Sequence, residues 1–227
     1  MRRRAAAGGL LGAVVVLAGC AGPPAQAAPA PGTASAAPLR VVVVGDSITE
    51  MDCPDFDAGV LGQGSWAWWA TGRGVDVTGG WAHSGATTED MLDGVAADGP
   101  MDADALVLMA GNNDLDLALP TEDVLDRLVQ IAAAAAVPRV VLSAVAPEDG
   151  LGPETLALDA DLAELAAREG WQYVDPMIEV RDEDGDYRDG ATLDGVHPSG
   201  AAAAQIGVAL HEALLHPSGV GPAGQTG

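Results

Sequence analysis

Basic residues are scarce in this chain. Ten Lys plus Arg face 33 Asp plus Glu among 227 residues, a formal net charge of −23 at pH 7. That balance argues against a nucleic-acid partner, because phosphate binding needs a basic face. The acidity describes a solvated surface that keeps the protein soluble. It also disfavours anionic substrates, although a local pocket can override the global field. Cysteine is nearly absent: only Cys20 and Cys53 occur. Long apolar runs are missing too. The best, Ala5 to Gly19, is too short for a confident membrane span.

Several nucleotide and hydrolase signatures are also lacking. The first apolar run leads into Gly-Asp-Ser rather than G-x-G-x-x-G, so a dinucleotide site is not indicated. There is no G-x-x-x-x-G-K-[ST]. No Ser lies in G-x-S-x-G, which removes the strained elbow of α/β-hydrolases. No helix carries two His at metal-binding spacing, and neither a metal nor a cofactor is expected.

What is present begins with a leader. "MRRR" supplies a positive start and "AAAGGLLGAVVVLAG" an apolar stretch, the form of a signal peptide over residues 1–19. Leu17-Ala18-Gly19-Cys20 resembles the bacterial lipobox, in which the Cys is lipidated and becomes the first mature residue. The alternative is a plain secretory signal that happens to contain a Cys. Removing the leader takes away Arg2, Arg3 and Arg4 and makes the mature chain three charges more negative. Cys53 then has no partner, no disulfide is expected, and Cys53 reads as a small packed residue. Residues 20–38 are a Pro/Ala-rich tether. Residues 216–227 are a disordered tail, and residues 39–215 form the folded domain.

Within residues 39–215, strands and helices alternate. Strands are expected at Leu39–Val44, Val75–Thr78 (weak), Ala105–Met109, Arg139–Val145 and Trp171–Val174. Helices are expected at Ser65–Thr71, Thr87–Ala97, Thr121–Ala136, Glu154–Glu169 and Ser199–Leu215. Thr87 reads as an N-cap with Asp90 three residues on. Thr121 reads as the cap of its own helix, and Gly170 ends the helix before it. Apolar strands without alternation argue for a parallel sheet covered on both faces, with right-handed crossovers.

Four short segments carry chemistry, all in loops after strands or before helices: Gly45-Asp46-Ser47-Ile48-Thr49, Ser84-Gly85-Ala86-Thr87, Gly111-Asn112-Asn113-Asp114 and Asp194-Gly195-Val196-His197. In a doubly wound sheet, the first and third strands flank the crevice where ligands bind. An ester hydrolase needs a nucleophile, a base, a group that orients the base, and donors for the oxyanion. Ser47 can be the nucleophile and His197 the base. Asp194, three residues earlier, can orient His197. The Ser47 N–H, the Gly85 N–H and the Asn113 amide can hold the oxyanion.

These four segments, in this order, resemble the conserved blocks of the SGNH hydrolases, the GDSL-type esterase and lipase superfamily. The match runs from Val41 to His197. The resemblance implies a flavodoxin-like three-layer α/β/α sandwich with a five-stranded parallel sheet in order 2-1-3-4-5. It implies the catalytic set Ser47, Asp194 and His197, and the oxyanion set Ser47, Gly85 and Asn113. One departure is Asp114 followed by "LDLALP", a short loop that leaves the acyl or leaving-group pocket undefined.

Other residues read more plainly. Asp46 holds the turn through backbone hydrogen bonds, and Asn112 is a turn residue. His83 is more a neighbour of the glycine segment than a pocket residue. His211 is a surface or packed residue, and His216 belongs to the tail. Trp66, Trp68, Trp69 and Trp81 are core by default, with an apolar or sugar-stacking wall beside the crevice as the sharper reading. Asp182–Asp186 has the look of a calcium loop but lacks the later Glu, so a solvated acidic turn is expected.

The combined expectation is a metal-independent serine esterase, lipid-anchored through Cys20 to the outer face of a bacterial cell membrane. Its partner is a small-molecule, glycan or lipid ester: short acyl esters, O-acetyl groups on sugars, or lysolipids. Small polar pocket loops would favour acetyl, and a long apolar groove would favour lipid. The rivals are an acyltransferase using the same residues and a non-catalytic glycan-binding surface lipoprotein.

Overall fold

The computed structural model describes residues 37–217. The leader, Cys20, nearly all of the tether and the last ten residues of the tail lie outside the described residues.

The apolar run after Leu39 explains the architecture. Val41 and Val43 point into one core and Val42 and Val44 into another. A strand with apolar residues at every position must be covered on both faces. Strand β1 (Leu39–Gly45) is joined by β2 (Val75–Ala82), β3 (Ala105–Met109), β4 (Val140–Ser143) and β5 (Gln172–Val174) in the order β2-β1-β3-β4-β5. Every pairing is parallel. Helices α2 (Trp66–Ala70) and α7 (Gly200–Leu215) cover one face through Trp66, Ala70, Ile206 and Leu210. Helices α3 (Thr88–Asp98), α5 (Thr121–Ala135) and α6 (Gly152–Glu169) cover the other through Met91, Leu128 and Leu162. This is the three-layer α/β fold expected.

The differences have local causes. β2 continues past Thr78 through Gly79 and Gly80, with a register irregularity opposite Val41 to Val43. A Cβ at Gly80 would sit 2.0 Å from the Val43 carbonyl oxygen, so the two strands meet this closely only because the residue is glycine. Thr121 does not cap α5. Pro120 holds the N-cap position, no side chain caps the helix, and Thr121 is its first residue. α6 starts two residues early, at Gly152, with Pro153 in its first turn, where the absent N–H is not missed. Thr87 and Asp90 do form the expected capping box on α3.

Two short helices were not expected: α1 (Ser47–Glu50) and α4 (Asn112–Asp116). Both start directly after neighbouring strands, where Gly45 of β1 is in register with Met109 of β3 and with Ala82 of β2. Three of the four candidate segments therefore leave the same edge of the sheet. Trp66 anchors α1 from below. It is fully buried, and its indole N–H donates to Thr49 Oγ1 at 3.0 Å. Ser65 Oγ caps α2 and also donates to the Thr49 carbonyl.

Trp66→Phe keeps most of the apolar bulk but leaves Thr49 Oγ1 without its donor. Urea unfolding should show a loss of about 1–3 kcal/mol. A variant as stable as the parent would show that this bond does not secure α1.

Candidate active site

Ser47 owes its position to Asp46. The Asp46 side chain caps α1, with Oδ1 accepting from the Ile48 N–H at 3.0 Å. The Asp46 carbonyl accepts from Thr49 and Glu50 at 3.1 and 2.9 Å. Ser47 is thus the first residue of a helix, and its N–H is one of the donors that no intrahelical acceptor can reach. Asp46 holds the turn as expected, but it is 1% exposed. Burial pushes its carboxyl up to about 6, against the pull of the Ile48 N–H and of nearby His197.

His197 is set by a tightly bonded loop before α7. Thr192 Oγ1 accepts from the Gly195 N–H at 2.8 Å and donates to the His197 carbonyl at 2.9 Å. Asp194 Oδ1 accepts from the N–H groups of Val196 and His197, at 3.0 and 2.8 Å. Asp194 Oδ2 meets His197 Nδ1 at 2.9 Å. The His197 backbone N–H and then its ring hold the Asp194 carboxyl down at about 2, so it is ionised. An ionised acceptor at Nδ1 keeps a proton there and leaves Nε2 as the acceptor. Nε2 lies 3.0 Å from Ser47 Oγ. Tyr187 braces the loop by donating its hydroxyl to the Val196 carbonyl at 3.1 Å.

Gly85 and Asn113 arrive from two further loops. Gly85 has φ +79°, which a side chain would strain, and open space where a Cβ would lie. Ser84 ties this turn to α1: its N–H and its hydroxyl both donate to Glu50 Oε2, each at 2.6 Å. Asn113 Nδ2 donates to the Ala86 carbonyl at 3.0 Å and lies 3.5 Å from Asp46 Oδ2. The second contact is too long to engage that proton strongly. Buried Asp114 accepts from the Thr88 N–H and hydroxyl at 2.9 and 2.6 Å, fastening α3 to α4. The "LDLALP" segment after it continues α4 and then enters α5.

Ser47, Asp46, Ile48, Asn112, Asn113, Asp116, Glu148 and Val196 line a cavity of about 120 Å³. The fold thus gathers Ser47, His197 and Asp194 into one hydrogen-bonded chain, with Asn113 and the Gly85 turn alongside. A larger cavity of about 640 Å³, bordered by Arg139 and Trp171, contains none of these residues.

Residues outside the chain fall as follows. His83 faces Asp57 at 3.3 Å, stacks edge-on against Trp81 at 4.4 Å, and does not line the Ser47 cavity. His211 is packed, with Nδ1 at 2.8 Å from the Ala70 carbonyl. Trp66 is core, whereas Trp68 and Trp69 are 40% and 39% exposed. Trp69 shares a groove of about 370 Å³ with Met51, Leu193 and Pro198, which flank the Ser47 helix and the His197 loop. Asp182–Asp186 does more than face water. Asp186 accepts from the N–H groups of Gly150 and Gly152 at 3.0 and 3.2 Å and docks this turn on the loop before α6.

The contacts made by Glu50, Asp114, Asp116 and Glu148 were not read from the sequence. Asp114 lies inside a recognised segment and Glu50 directly after one, and that proximity offered a signal. Glu148, in the loop after β4, offered none.

The raised Asp46 carboxyl sets a pH effect. A proton held more tightly in the folded state than in the free chain stabilises the fold, and the benefit is lost as pH rises through the folded value. Relative to Asp46→Asn, the wild type should lose about 3 kcal/mol as pH rises from 3.8 through about 6. Urea midpoints measured across that range check it. A constant difference would show that the Asp46 carboxyl is not perturbed.

Comparison with known proteins identifies the family of the chain. The model of the GDSL-like lipase/acylhydrolase family matches residues 43–205. A GDSL-like lipase from Bacteroides thetaiotaomicron superposes with TM-score 0.61 at 20% identity, covering 78% of this chain and 88% of that one. The M. smegmatis aryl esterase gives 0.58 at 18%, covering 78% and 98%. A Geobacillus acetyl-xylooligosaccharide esterase gives 0.60 at 18%, covering 78% and 94%. At such identities these likenesses carry the fold alone. No curated protein gave a significant match. Because the family match spans well over half of the sequence and takes in the loops just described, the chain belongs to the GDSL-like lipase/acylhydrolase family and is an ester hydrolase.

Proposed function

We propose that Ser47, His197 and Asp194 carry out ester hydrolysis as nucleophile, base and orienting carboxylate. The observation that supports this best is the unbroken contact from Asp194 Oδ2 to His197 Nδ1 and from Nε2 to Ser47 Oγ, at 2.9 and 3.0 Å. Ser47 Oγ attacks the ester carbonyl carbon and its proton passes to Nε2. The carbonyl π pair moves onto oxygen, where the Ser47 N–H, the Gly85 N–H and the Asn113 amide receive it. Collapse breaks the ester C–O bond, and His197 returns the proton to the departing alcohol. The same base then activates water to release the acid and regenerate Ser47.

The substrate we propose is a short acyl ester, including O-acetyl groups on carbohydrates, rather than a lysolipid. The space of about 120 Å³ beside Ser47 supports this, being of a size that seats an acetyl group. Trp69, exposed in the neighbouring groove, offers a face for a sugar ring. We also propose that Cys20 carries lipid and holds the enzyme at the outer face of a bacterial membrane.

Hydrolysis of p-nitrophenyl acetate tests the chemistry. Ser47→Ala should lose about 10⁴-fold or more in kcat, and Asn113→Ala about 10²–10³-fold. Equal rates for wild type and Ser47→Ala would end the reading, and an unchanged Asn113→Ala would remove the oxyanion role alone. Mass spectrometry of the membrane fraction should find diacylglycerol on Cys20. An unmodified Cys20 would refute the anchor.

A further inference from the structure

The two backbone donors assigned to the oxyanion lie on different pieces of chain. The Ser47 N–H opens α1, and the Gly85 N–H belongs to the turn after β2. They serve one oxygen only if their separation is fixed. Nothing within the turn fixes it. The Ala86 N–H closes the turn onto the His83 carbonyl at 3.1 Å, and Gly85 holds φ +79°. Both set the shape of the turn and not its distance from Ser47. Ser84 and Gly85 are exposed, so packing does little to seat them.

One side chain of α1 supplies the constraint. Glu50 lies three residues after Ser47 on the same helix, and its Oε2 accepts from both the Ser84 N–H and the Ser84 hydroxyl, each at 2.6 Å. Two donors of one residue on one carboxylate oxygen restrain both the position and the rotation of that residue. The base of the clamp is firm. The Glu50 N–H donates to the Asp46 carbonyl at 2.9 Å, and the adjoining Thr49 is held by Trp66 and Ser65. The other flank of the turn is held by Asn113 Nδ2 on the Ala86 carbonyl at 3.0 Å. Glu50 does not line the Ser47 cavity. It borders a separate cavity of about 210 Å³ with Cys53, Asp57 and His83, so it reaches the reacting atoms only through the turn.

We propose that Glu50 is a positioning residue for the oxyanion: its carboxylate sets the Gly85 N–H at the distance from the Ser47 N–H that one tetrahedral oxygen requires. This rests on Ser47 as nucleophile and on Gly85 as a donor. Charge builds on that oxygen in the transition state, whereas the ground-state carbonyl engages the donors weakly, so the contact acts on kcat rather than on KM.

The test is p-nitrophenyl acetate kinetics of Glu50→Ala, Glu50→Gln and Ser84→Ala, each shown to be folded by circular dichroism. Glu50→Ala should lose about 10–100-fold in kcat with KM within about threefold, because a donor displaced by about 1 Å forfeits most of its contribution. Glu50→Gln keeps an acceptor oxygen at the same reach and should recover to within about fivefold of the wild type. Ser84→Ala removes the hydroxyl half of the contact at an exposed position and should lose about threefold or more in kcat. Methylboronic acid supplies a readout that a purely structural role would not move. Ser47 Oγ adds to boron, its proton passes to His197, and the anionic adduct sets a boron-bound oxygen at the donors. Its inhibition constant should rise about tenfold or more in Glu50→Ala. A lower melting temperature with kcat and boronate inhibition unchanged overturns the proposal, and so does a Glu50→Gln variant as impaired as Glu50→Ala. If Glu50→Ala does not fold, Ser84→Ala decides, and an unchanged kcat there overturns the proposal. Ser47→Ala separates the two levels. If it is inactive while Glu50→Ala turns over like the wild type, only the positioning role fails. If it retains full turnover, the underlying reading fails.

Discussion

One hydrogen-bonded contact organises this molecule. Ser47 Oγ meets His197 Nε2, a partner 150 residues away in the chain. The contact exists only if β1 ends where the loop before α7 returns to the same edge of the sheet. The layered core enforces this: α7 lies on the same face as α2, Trp66 of α2 holds Thr49, and Thr49 belongs to the helix that begins with Ser47. A shift of about 1 Å along this route would spoil the alignment that such chemistry needs.

Electrostatics divides the site into two unlike halves. Asp194 is more than half exposed and collects two backbone N–H groups and an imidazole, so its charge is well supported. Asp46 and Glu148 are buried and held less well, and both are pushed toward the neutral form. The supported charge faces the His197 ring. The poorly supported ones line the cavity beside Ser47. Perturbed carboxyls of this kind cluster at functional sites.

Much of this was legible in the sequence. The uninterrupted Val41–Val44 run announced a doubly covered sheet, and four short segments named the residues that meet. What escaped had too short a range to leave a pattern. Helices α1 and α4 have four and five residues, less than a periodic signal requires. β2 was cut short because Gly79-Gly80 reads as a break, whereas only the Val43 backbone opposite explains why glycine is needed there. Thr121 looked like a cap because its residue type is right, yet Pro120 sits at the boundary. Glu148 could not be found at all, since its meaning lies in what surrounds it and not in its neighbours along the chain.

The segment bearing Glu148 is clamped on both sides. Asn112 grips the Ala146 carbonyl, Asp149 donates its N–H to the Gly195 carbonyl, and Asp186 collects the amides of Gly150 and Gly152. Such a strap has no slack to slide or refold as its cargo changes. A replacement of Glu148 would therefore change the side chain that lines the Ser47 cavity while leaving the backbone frame that carries it in place.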